Sequence, residues 1–167
     1  PWLPNDRAVA LQTQYTNPEE ECHPYTKATA MDAGWRWTIP VYDRIGNGYC
    51  YSSDYITPEQ AEAELREALG EYDAPAKHLE MKCGTHQAVA HKNVLAVGLA
   101  GGFVEPLEAT GITFTTSTIR NFAHFVGMAN GEWNDDVRGA INQSFYEMNI
   151  EILSFIFGHY FFSNKKG

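Results

Sequence analysis

Two carboxylates, Glu105 and Glu108, lie three residues apart in the segment GGFVEPLEATGI, residues 101–112. A pair of carboxylates can perform general acid and base chemistry, but only in a cleft, and spacing alone does not show a cleft. Acidic residues near a helix start also complement the helix dipole, for about 0.3–1 kcal/mol each. Because a helix is predicted to begin here, the residues alone favour dipole complementation over catalysis.

The backbone after these carboxylates is suited to a small anion. Residues 93–98, NVLAVG, form a short apolar run typical of a buried strand, and a glycine-rich turn follows. Thr110 and Gly111 then fall at the N-terminus of the next helix, where unpaired N–H groups attract negative charge. The turn has no G-x-G-x-x-G pattern, so it is weak evidence for a nucleotide.

A second group of candidate residues is Trp35 and Trp37, in the predicted strand GWRWTIPVYD, residues 34–43. Side chains alternate along a strand, so both rings point to the same face. Two neighbouring indoles either pack on the sheet or form a flat wall beside an aromatic cofactor or substrate. For an arbitrary protein, sheet packing is the favoured alternative.

Alternating and apolar runs predict the sheet that must position these residues. Strands are expected at residues 6–15, 34–43, 48–53, 78–83 and 93–98. Residues 16–33, with their prolines and consecutive glutamates, are expected to form a loop. The pair Asn47-Gly48 predicts a tight hairpin turn at residues 45–48.

Three helices are predicted. Thr57, Pro58 and Gln60 supply the N-cap, the first helical position and the capping box of a helix over residues 56–70. Beyond the opening segment, apolar residues recur at helical spacing in two further helices, the second of them long. Their core-facing residues are expected to be Ile112, Ile119, Phe122 and Val126 in the first, and Ile141, Phe145, Met148, Ile152 and Phe155 in the second. This order of elements predicts an α/β or α+β fold, with helices against a sheet.

Composition argues against several classes of function. The 167 residues are 44% hydrophobic and carry a net charge of -9, which argues against nucleic acid or an anionic membrane as a partner. No apolar run is long enough to cross a bilayer. The widely spaced Cys22, Cys50 and Cys83 indicate a reduced, cytoplasmic setting, and the six histidines show no metal-ligand spacing.

Two motifs together resemble one enzyme family. W-x-W-x-I-P, residues 35–40, and NVLAVGLAGGFVEPLEATGI, residues 93–112, are similar to signature segments of the flavin-dependent halogenases, in particular the tryptophan-halogenase-like group. Further blocks follow the family's order, namely DRAVA, PYT, GYCYSS with TPEQA, and FIFGHY. The resemblance covers essentially the whole chain.

The resemblance implies a partial FAD-dependent monooxygenase-like fold and an enzyme that uses reduced FAD, oxygen, and chloride or bromide. These would form hypohalous acid, which halogenates an aromatic substrate such as tryptophan or another indole. A separate flavin reductase would supply the reduced FAD, and a homodimer is left open. Two rival functions remain, namely a monooxygenase of the same fold and a non-catalytic remnant of that fold.

The family's site residues can be assigned to the positions of this sequence that match the family motifs. The resemblance makes Glu108 the catalytic carboxylate, and it makes Thr110 and Gly111 the halide ligands through their backbone amides. Leu99 and Ile112 would contact the flavin. A wall on the flavin side would comprise Trp35, Trp37, Ile39 and Pro40, and no metal is implied.

The sequence departs from the family pattern at Ala109, where serine is frequent, and at His91, where tryptophan is frequent. It has no G-x-G-x-x-G unit, and none of its six lysines stands in the context of the family's catalytic lysine. We therefore expect a single partial domain from the middle of a halogenase. Residues 1–111 would form its sheet-rich flavin and halide part, and residues 112–167 a helical region leading to the substrate domain.

Overall fold

A computed structural model describes residues 3–163, which divide into two compact units, residues 3–82 and residues 83–163. The first unit is built on a sheet and the second on two long helices. The predicted mixture of helix and sheet is therefore confirmed. Within residues 3–163, no helix combines the length and apolar character needed to cross a membrane.

The first unit is a five-stranded antiparallel sheet with the strand order β2-β3-β4-β1-β5. Its elements are β1 (Arg7–Thr13), α1 (Pro18–Glu21), β2 (Lys27–Met31), β3 (Gly34–Pro40), β4 (Ile45–Tyr51), α2 (Pro58–Ala68) and β5 (Lys77–Glu80). Alternate residues of β1 and β4 face α2 and form the core of the unit, which comprises Val9, Leu11, Tyr49, Tyr51, Ile56, Ala61 and Leu65.

Helix α2 forms as its local signals predict. The Thr57 side chain accepts from the Gln60 backbone, and the Gln60 side chain accepts from the Thr57 backbone, which completes the capping box. Ala61 and Leu65, one turn apart, are the residues that α2 buries. The strand predicted at 78–83 is also present, although it ends at Glu80.

The prediction of a loop over residues 16–33 is wrong. The segment contains the short helix α1 and the strand β2, which pairs with β3 from Lys27 opposite Thr38 to Met31 opposite Gly34. Strand β2 lies at the edge of the sheet and none of its residues is fully buried. Its sequence, KATAM, therefore lacks the apolar alternation that marks a strand with one buried face.

The hairpin turn predicted at residues 45–48 is also misplaced. Strand β4 already begins at Ile45, and the turn lies just before it, closed by a bond from Val41 N to Arg44 O of 2.9 Å. Asn47 is buried within β4 and donates from Nδ2 to Thr13 Oγ1 at 3.0 Å. Gly48 leaves room for an indole, because a Cβ there would lie 1.9 Å from the Trp37 ring.

The second unit contains α3 (Thr110–Met128) and α4 (Asp135–Phe161). The chain before them forms two small ladders and two single 3-10 turns. The ladders are β6 (Gly84–Thr85) with β9 (Gly102–Phe103), and β7 (Ala90–His91) with β8 (Val94–Leu95), while the turns are Gly98–Ala100 and Leu107–Ala109. Phe114 and Phe145 meet edge to face at 4.7 Å in the core between the helices.

Both helices of the second unit are confirmed, but their predicted faces are partly wrong. Ile112 and Ile119 are exposed, and α3 instead buries Phe114 and Thr118. In α4, Phe155 is exposed while the following Ile156 is fully buried. The predicted core positions Ile141 and Phe145 are buried as expected.

The buried strand predicted at residues 93–98 does not form. Only Val94 and Leu95 are in strand conformation, and Val94 is exposed. The apolar run instead leads through Gly98, with φ of +63°, into the first 3-10 turn. Positive φ is accessible to glycine without a steric penalty, so Gly98 marks a turn after a short ladder.

Candidate active site

The backbone at Glu108 and Ala109 adopts an uncommon conformation. Both residues have positive φ, 67° and 51°, immediately before α3 begins. A left-handed conformation costs a non-glycine residue roughly 1–2 kcal/mol. Two such residues in succession turn the chain from the Leu107–Ala109 turn into α3. Strained backbone of this kind clusters at functional sites, where the surrounding structure holds it in place.

Glu105 is a buried carboxylate. Its side chain is 2% exposed, and the Tyr160 hydroxyl donates to its Oε1 at 2.7 Å. Helix α3 begins only at Thr110 and has no acidic residue in its first turn. The interpretation of Glu105 as a first-turn acid is therefore wrong, whereas Glu108 does lie in the first turn of the 3-10 helix Leu107–Ala109, which leads into α3.

Glu108 is, by contrast, accessible to solvent. About half of its side chain is exposed, and its Oε1 lies 3.2 Å from His159 Nε2. His159 Nδ1 lies 3.0 Å from the carbonyl oxygen of Phe155. A carboxylate that a small molecule can reach, with an imidazole beside it, is equipped to accept a proton or to stabilise a positive charge.

Sequence reasoning did not find the two residues that contact these carboxylates. His159 and Tyr160 are neighbours near the end of α4, and they contact Glu108 and Glu105 respectively. The pairs are 51 and 55 residues apart in the sequence, too far for any local pattern to link them. The available signal is the pair His-Tyr, with its polar atoms, within the otherwise apolar stretch FIFGHYFF, residues 155–162.

Helix α4 also positions the loops that precede the site. Asn142 accepts at Oδ1 from the backbone of Val89 and Ala90, at 2.9 and 2.8 Å. Two turns further along, Asn149 donates to Thr85 Oγ1 at 2.9 Å. One rigid helix therefore holds the loop from residue 85 to residue 90 as well as both carboxylates.

The start of α3 is open to a small anion. Thr110 and Gly111 are its first residues, and their N–H groups have no acceptor within the helix because first-turn amides lack one. Ala109 provides no side-chain cap within the described chain. A Cβ added to Gly111 would meet nothing within 4 Å. This arrangement fits a halide.

Two large apolar side chains next to this helix start are exposed. Leu99 is 82% exposed on the Gly98–Ala100 turn and Ile112 is 79% exposed on α3, and the two elements contact each other. Exposed apolar side chains next to polar groups are typical of ligand-binding surfaces. The pair therefore fits a flat ring such as a flavin.

The tryptophan pair lies in the first unit. Trp35 and Trp37 share one face of β3 as predicted, with ring centroids 6.0 Å apart and planes inclined by 58°. Trp35 is buried and Trp37 is half-buried against Gly48. Ile39, two residues further along the same face, is exposed and Pro40 is half-buried. Packing on the sheet thus accounts for Trp35, and the outer part of this face can still line a ligand.

The structure brings five of the predicted site residues into one unit. They are Leu99, Glu108, Thr110, Gly111 and Ile112. Among residues 3–163, no group of three or more His, Cys, Asp or Glu side chains is arranged to hold a metal ion.

Known proteins resemble the whole chain. The family described as tryptophan halogenase matches residues 1–167. The tryptophan 6-halogenase SttH of Streptomyces toxytricini is 42% identical over 161 residues, which cover 95% of this chain and 30% of SttH. The 7-chloro-L-tryptophan 6-halogenase KtzR of Kutzneria sp. (strain 744) is 42% identical over 161 residues, or 95% of this chain and 31% of KtzR.

Solved structures agree with these sequence matches. The crystal structure of SttH has a TM-score of 0.91 and 39% identity, covering 99% of this chain and 34% of SttH. A second structure is that of Tar14, a tryptophan C-6 flavin-dependent halogenase (chlorinase) from taromycin biosynthesis. It has a TM-score of 0.86 and 41% identity, covering 99% of this chain and 32% of the Tar14 chain. The chain spans about a third of the length of the relatives that it matches.

Proposed function

The chain belongs to the tryptophan halogenase family, and on that premise we propose that it is the middle section of a flavin-dependent halogenase. Its substrate is an aromatic ring, with tryptophan or another indole as the first choice. The matched relatives are about three times longer, so the remainder of the protein would hold the rest of the FAD, the catalytic lysine and the rest of the substrate pocket. Residues 1–111 then form a flavin and halide part, and residues 112–167 lead to the substrate domain.

The observation that carries this proposal is the juxtaposition at the start of α3. An exposed carboxylate, an uncapped helix start with an open glycine, and two exposed apolar side chains lie within residues 99–112. A site that halogenates an aromatic ring needs an anion site, an apolar surface for a flat cofactor, and a base. This segment offers each of these.

Each residue has a role that follows from its chemistry. The amides of Thr110 and Gly111 donate to chloride or bromide, because the helix start carries a partial positive charge. Leu99 and Ile112 cover one part of the flavin ring with apolar surface. When bound, reduced FAD reacts with oxygen, and together they supply the oxidising equivalents that convert the halide into hypohalous acid.

Glu108 acts on the aromatic substrate. Its carboxylate stabilises the positive charge that develops on the ring and takes up the proton that the ring carbon loses. Trp35, Trp37, Ile39 and Pro40 wall the flavin side and keep the organic substrate away from it, which limits hydroxylation. A separate flavin reductase supplies the reduced FAD, and the setting is the cytoplasm.

The test uses the full-length protein that contains this chain. It is incubated with FAD, a flavin reductase and its NADH, oxygen and tryptophan, with and without bromide, and the products are analysed by mass spectrometry. We expect a brominated product that requires bromide. A product that is only hydroxylated would instead identify a monooxygenase, and no product with fully bound FAD would identify a non-catalytic remnant.

A further inference from the structure

We propose that His159 is a positioning residue that fixes the direction of the Glu108 carboxylate. This inference rests on the proposed function, in which Glu108 is the base. The family resemblance assigns no role to His159 beyond its place in the block FIFGHY. The proposal comes from the contacts of its two ring nitrogens.

The imidazole of His159 is held by three contacts. Its Nδ1 lies 3.0 Å from the Phe155 carbonyl oxygen, one helical turn earlier. Its ring meets the Phe155 ring edge to face, with centroids 4.9 Å apart and planes at 88°. Its Nε2 lies 3.2 Å from Glu108 Oε1. A ring fixed in this way can in turn fix the group at its third contact.

The hydrogen-bond partners determine where the protons lie. A carbonyl oxygen only accepts, so Nδ1 of His159 carries a proton and donates it to Phe155. Nε2 then faces Glu108 Oε1 across 3.2 Å, and it attracts the carboxylate when it carries a proton of its own.

Exposure indicates what this contact contributes. The side chains of His159 and Glu108 are 38% and 45% exposed, and ion pairs at such solvent-exposed sites add little to the free energy of unfolding. The effect of His159 is therefore expected on the direction of the carboxylate rather than on folding. The contact restrains a carboxylate that is otherwise about half exposed to solvent.

The neighbouring contact strengthens this argument. Tyr160 binds the buried Glu105, so successive residues of α4 hold both ends of the short segment from Glu105 to Glu108. With Oε1 engaged by His159, Oε2 can face the substrate ring. Misplacing a catalytic group by about 1 Å can cost roughly 100-fold in rate, so loss of this contact should lower kcat.

The kinetic test compares variants of the full-length protein in the halogenation of tryptophan. His159→Phe keeps a ring but removes both ring nitrogens, whereas His159→Gln keeps an amide donor toward Glu108. We expect His159→Phe to lower kcat roughly 10- to 100-fold with a much smaller change in the KM for tryptophan. His159→Gln should recover most of kcat.

A double-mutant cycle tests whether His159 acts through Glu108. In a Glu108→Gln background, His159→Phe should lower the remaining rate by less than about twofold, since the group that it positions is already changed. Formation of free hypohalite, measured with a hypohalite trap, should be unchanged in the His159 variants. An unchanged kcat in His159→Phe, or effects that multiply in full with those of Glu108→Gln, would overturn the proposal.

A spectroscopic measurement separates this inference from the proposed function. Imidazole 15N chemical shifts report the protonation of each ring nitrogen, and the His159→Gln variant identifies the signals of His159. Replacing Glu108 with Gln should move the Nε2 signal of His159. If that signal moves in a protein that forms no halogenated product, the proposed function fails and the His159–Glu108 pair stands. If it does not move, the pair itself is overturned, whatever the activity.

Discussion

Tyr160 donates a hydrogen bond to the carboxylate of Glu105, with 2.7 Å between its Oη and Oε1. Glu105 is almost fully buried, and the residue before Tyr160, His159, contacts the half-exposed Glu108. Two adjacent side chains of α4 thus hold two carboxylates in different environments. Burial suits Glu105 to a structural role, and exposure suits Glu108 to chemistry.

The Tyr160→Phe variant tests the structural half of this arrangement. It removes the hydroxyl and leaves a buried carboxylate oxygen with one donor fewer, which costs about 1–3 kcal/mol. We expect the free energy of unfolding, measured in urea, to fall by this amount. Tyr146→Phe is the matched control, because Tyr146 is an exposed tyrosine of the same helix. Equal losses in the two variants would contradict the role given to Tyr160.

The positive φ of Ala109 gives a second prediction. Ala109→Gly relieves a left-handed strain of roughly 1–2 kcal/mol, which exceeds the about 0.5–1 kcal/mol that glycine costs through backbone entropy. We expect Ala109→Gly to leave the stability unchanged or slightly raised. Ala123→Gly, at an exposed position within α3, should instead lose about 1 kcal/mol. Thermal unfolding measures the stability of both variants. A similar loss of stability in each would show that the backbone at Ala109 is not strained.

Local and long-range features differ in how far the sequence reveals them. Helix α2 is predictable because Thr57, Pro58 and Gln60 satisfy one another within a single turn. Asn47 and Gly48 mislead, because their partners, Thr13 and Trp37, are distant in the sequence. A pair that commonly forms a turn is used here for a buried hydrogen bond and for the close approach of a ring.

The candidate site follows the same division. Local sequence alone predicts that Gly111 lies at a helix start, and α3 begins at the residue before it, Thr110. The partners of the carboxylates were not predictable, since Tyr160 and His159 reach Glu105 and Glu108 only after α4 packs in the second unit. Burial separates the two glutamates, and burial is a property of the folded chain.

The contact between Gly48 and Trp37 gives a third prediction. A Cβ at position 48 would lie 1.9 Å from the indole, so Gly48→Ala must displace the ring. We expect a loss of stability of about 1–3 kcal/mol, as for other overpacked sites, with a shift in tryptophan fluorescence. Gly46→Ala is the control, because its Cβ would meet only the Ile39 carbonyl oxygen at 3.7 Å. A fluorescence spectrum that Gly48→Ala leaves unchanged would exclude this packing.

Glu62 gives a prediction for acid pH. Hydrogen bonds from Arg66 and His78, with 2.7 Å from Arg66 Nη2 to Oε1 and 2.7 Å from His78 Nε2 to Oε2, hold the pKa of Glu62 below its ordinary value of 4.5. A lowered carboxyl pKa stabilises the fold above the unfolded-state value, and this contribution is lost as the pH falls through the folded-state value. The stabilisation from Glu62 should therefore disappear below pH 4.5.

The Glu62→Gln variant measures this contribution. Its free energy of unfolding should be lower than that of the wild type by about 1–2 kcal/mol near neutral pH, and the difference should shrink as the pH falls below 4.5. Glu67→Gln, at an exposed position of α2, is the control. If the difference in free energy of unfolding between Glu62→Gln and the wild type stays constant down to acid pH, the ionised form of Glu62 does not stabilise the fold.

The amide of Gly111 allows the halide site to be tested at one atom. Gly111→Pro removes the N–H, and this N–H has no acceptor within α3, so the helix loses no hydrogen bond. A hydrogen bond to a charged group is worth about 1.5–3 kcal/mol, so the KM for bromide should rise roughly 10- to 100-fold. Gly111→Ala keeps the N–H and places its Cβ in open space, and it should leave this KM nearly unchanged. Both are measured in the full-length protein, with circular dichroism and thermal unfolding as checks on folding. If both variants fold and have the same KM for bromide, the amide of Gly111 does not bind the halide, because only one of them lacks the donor.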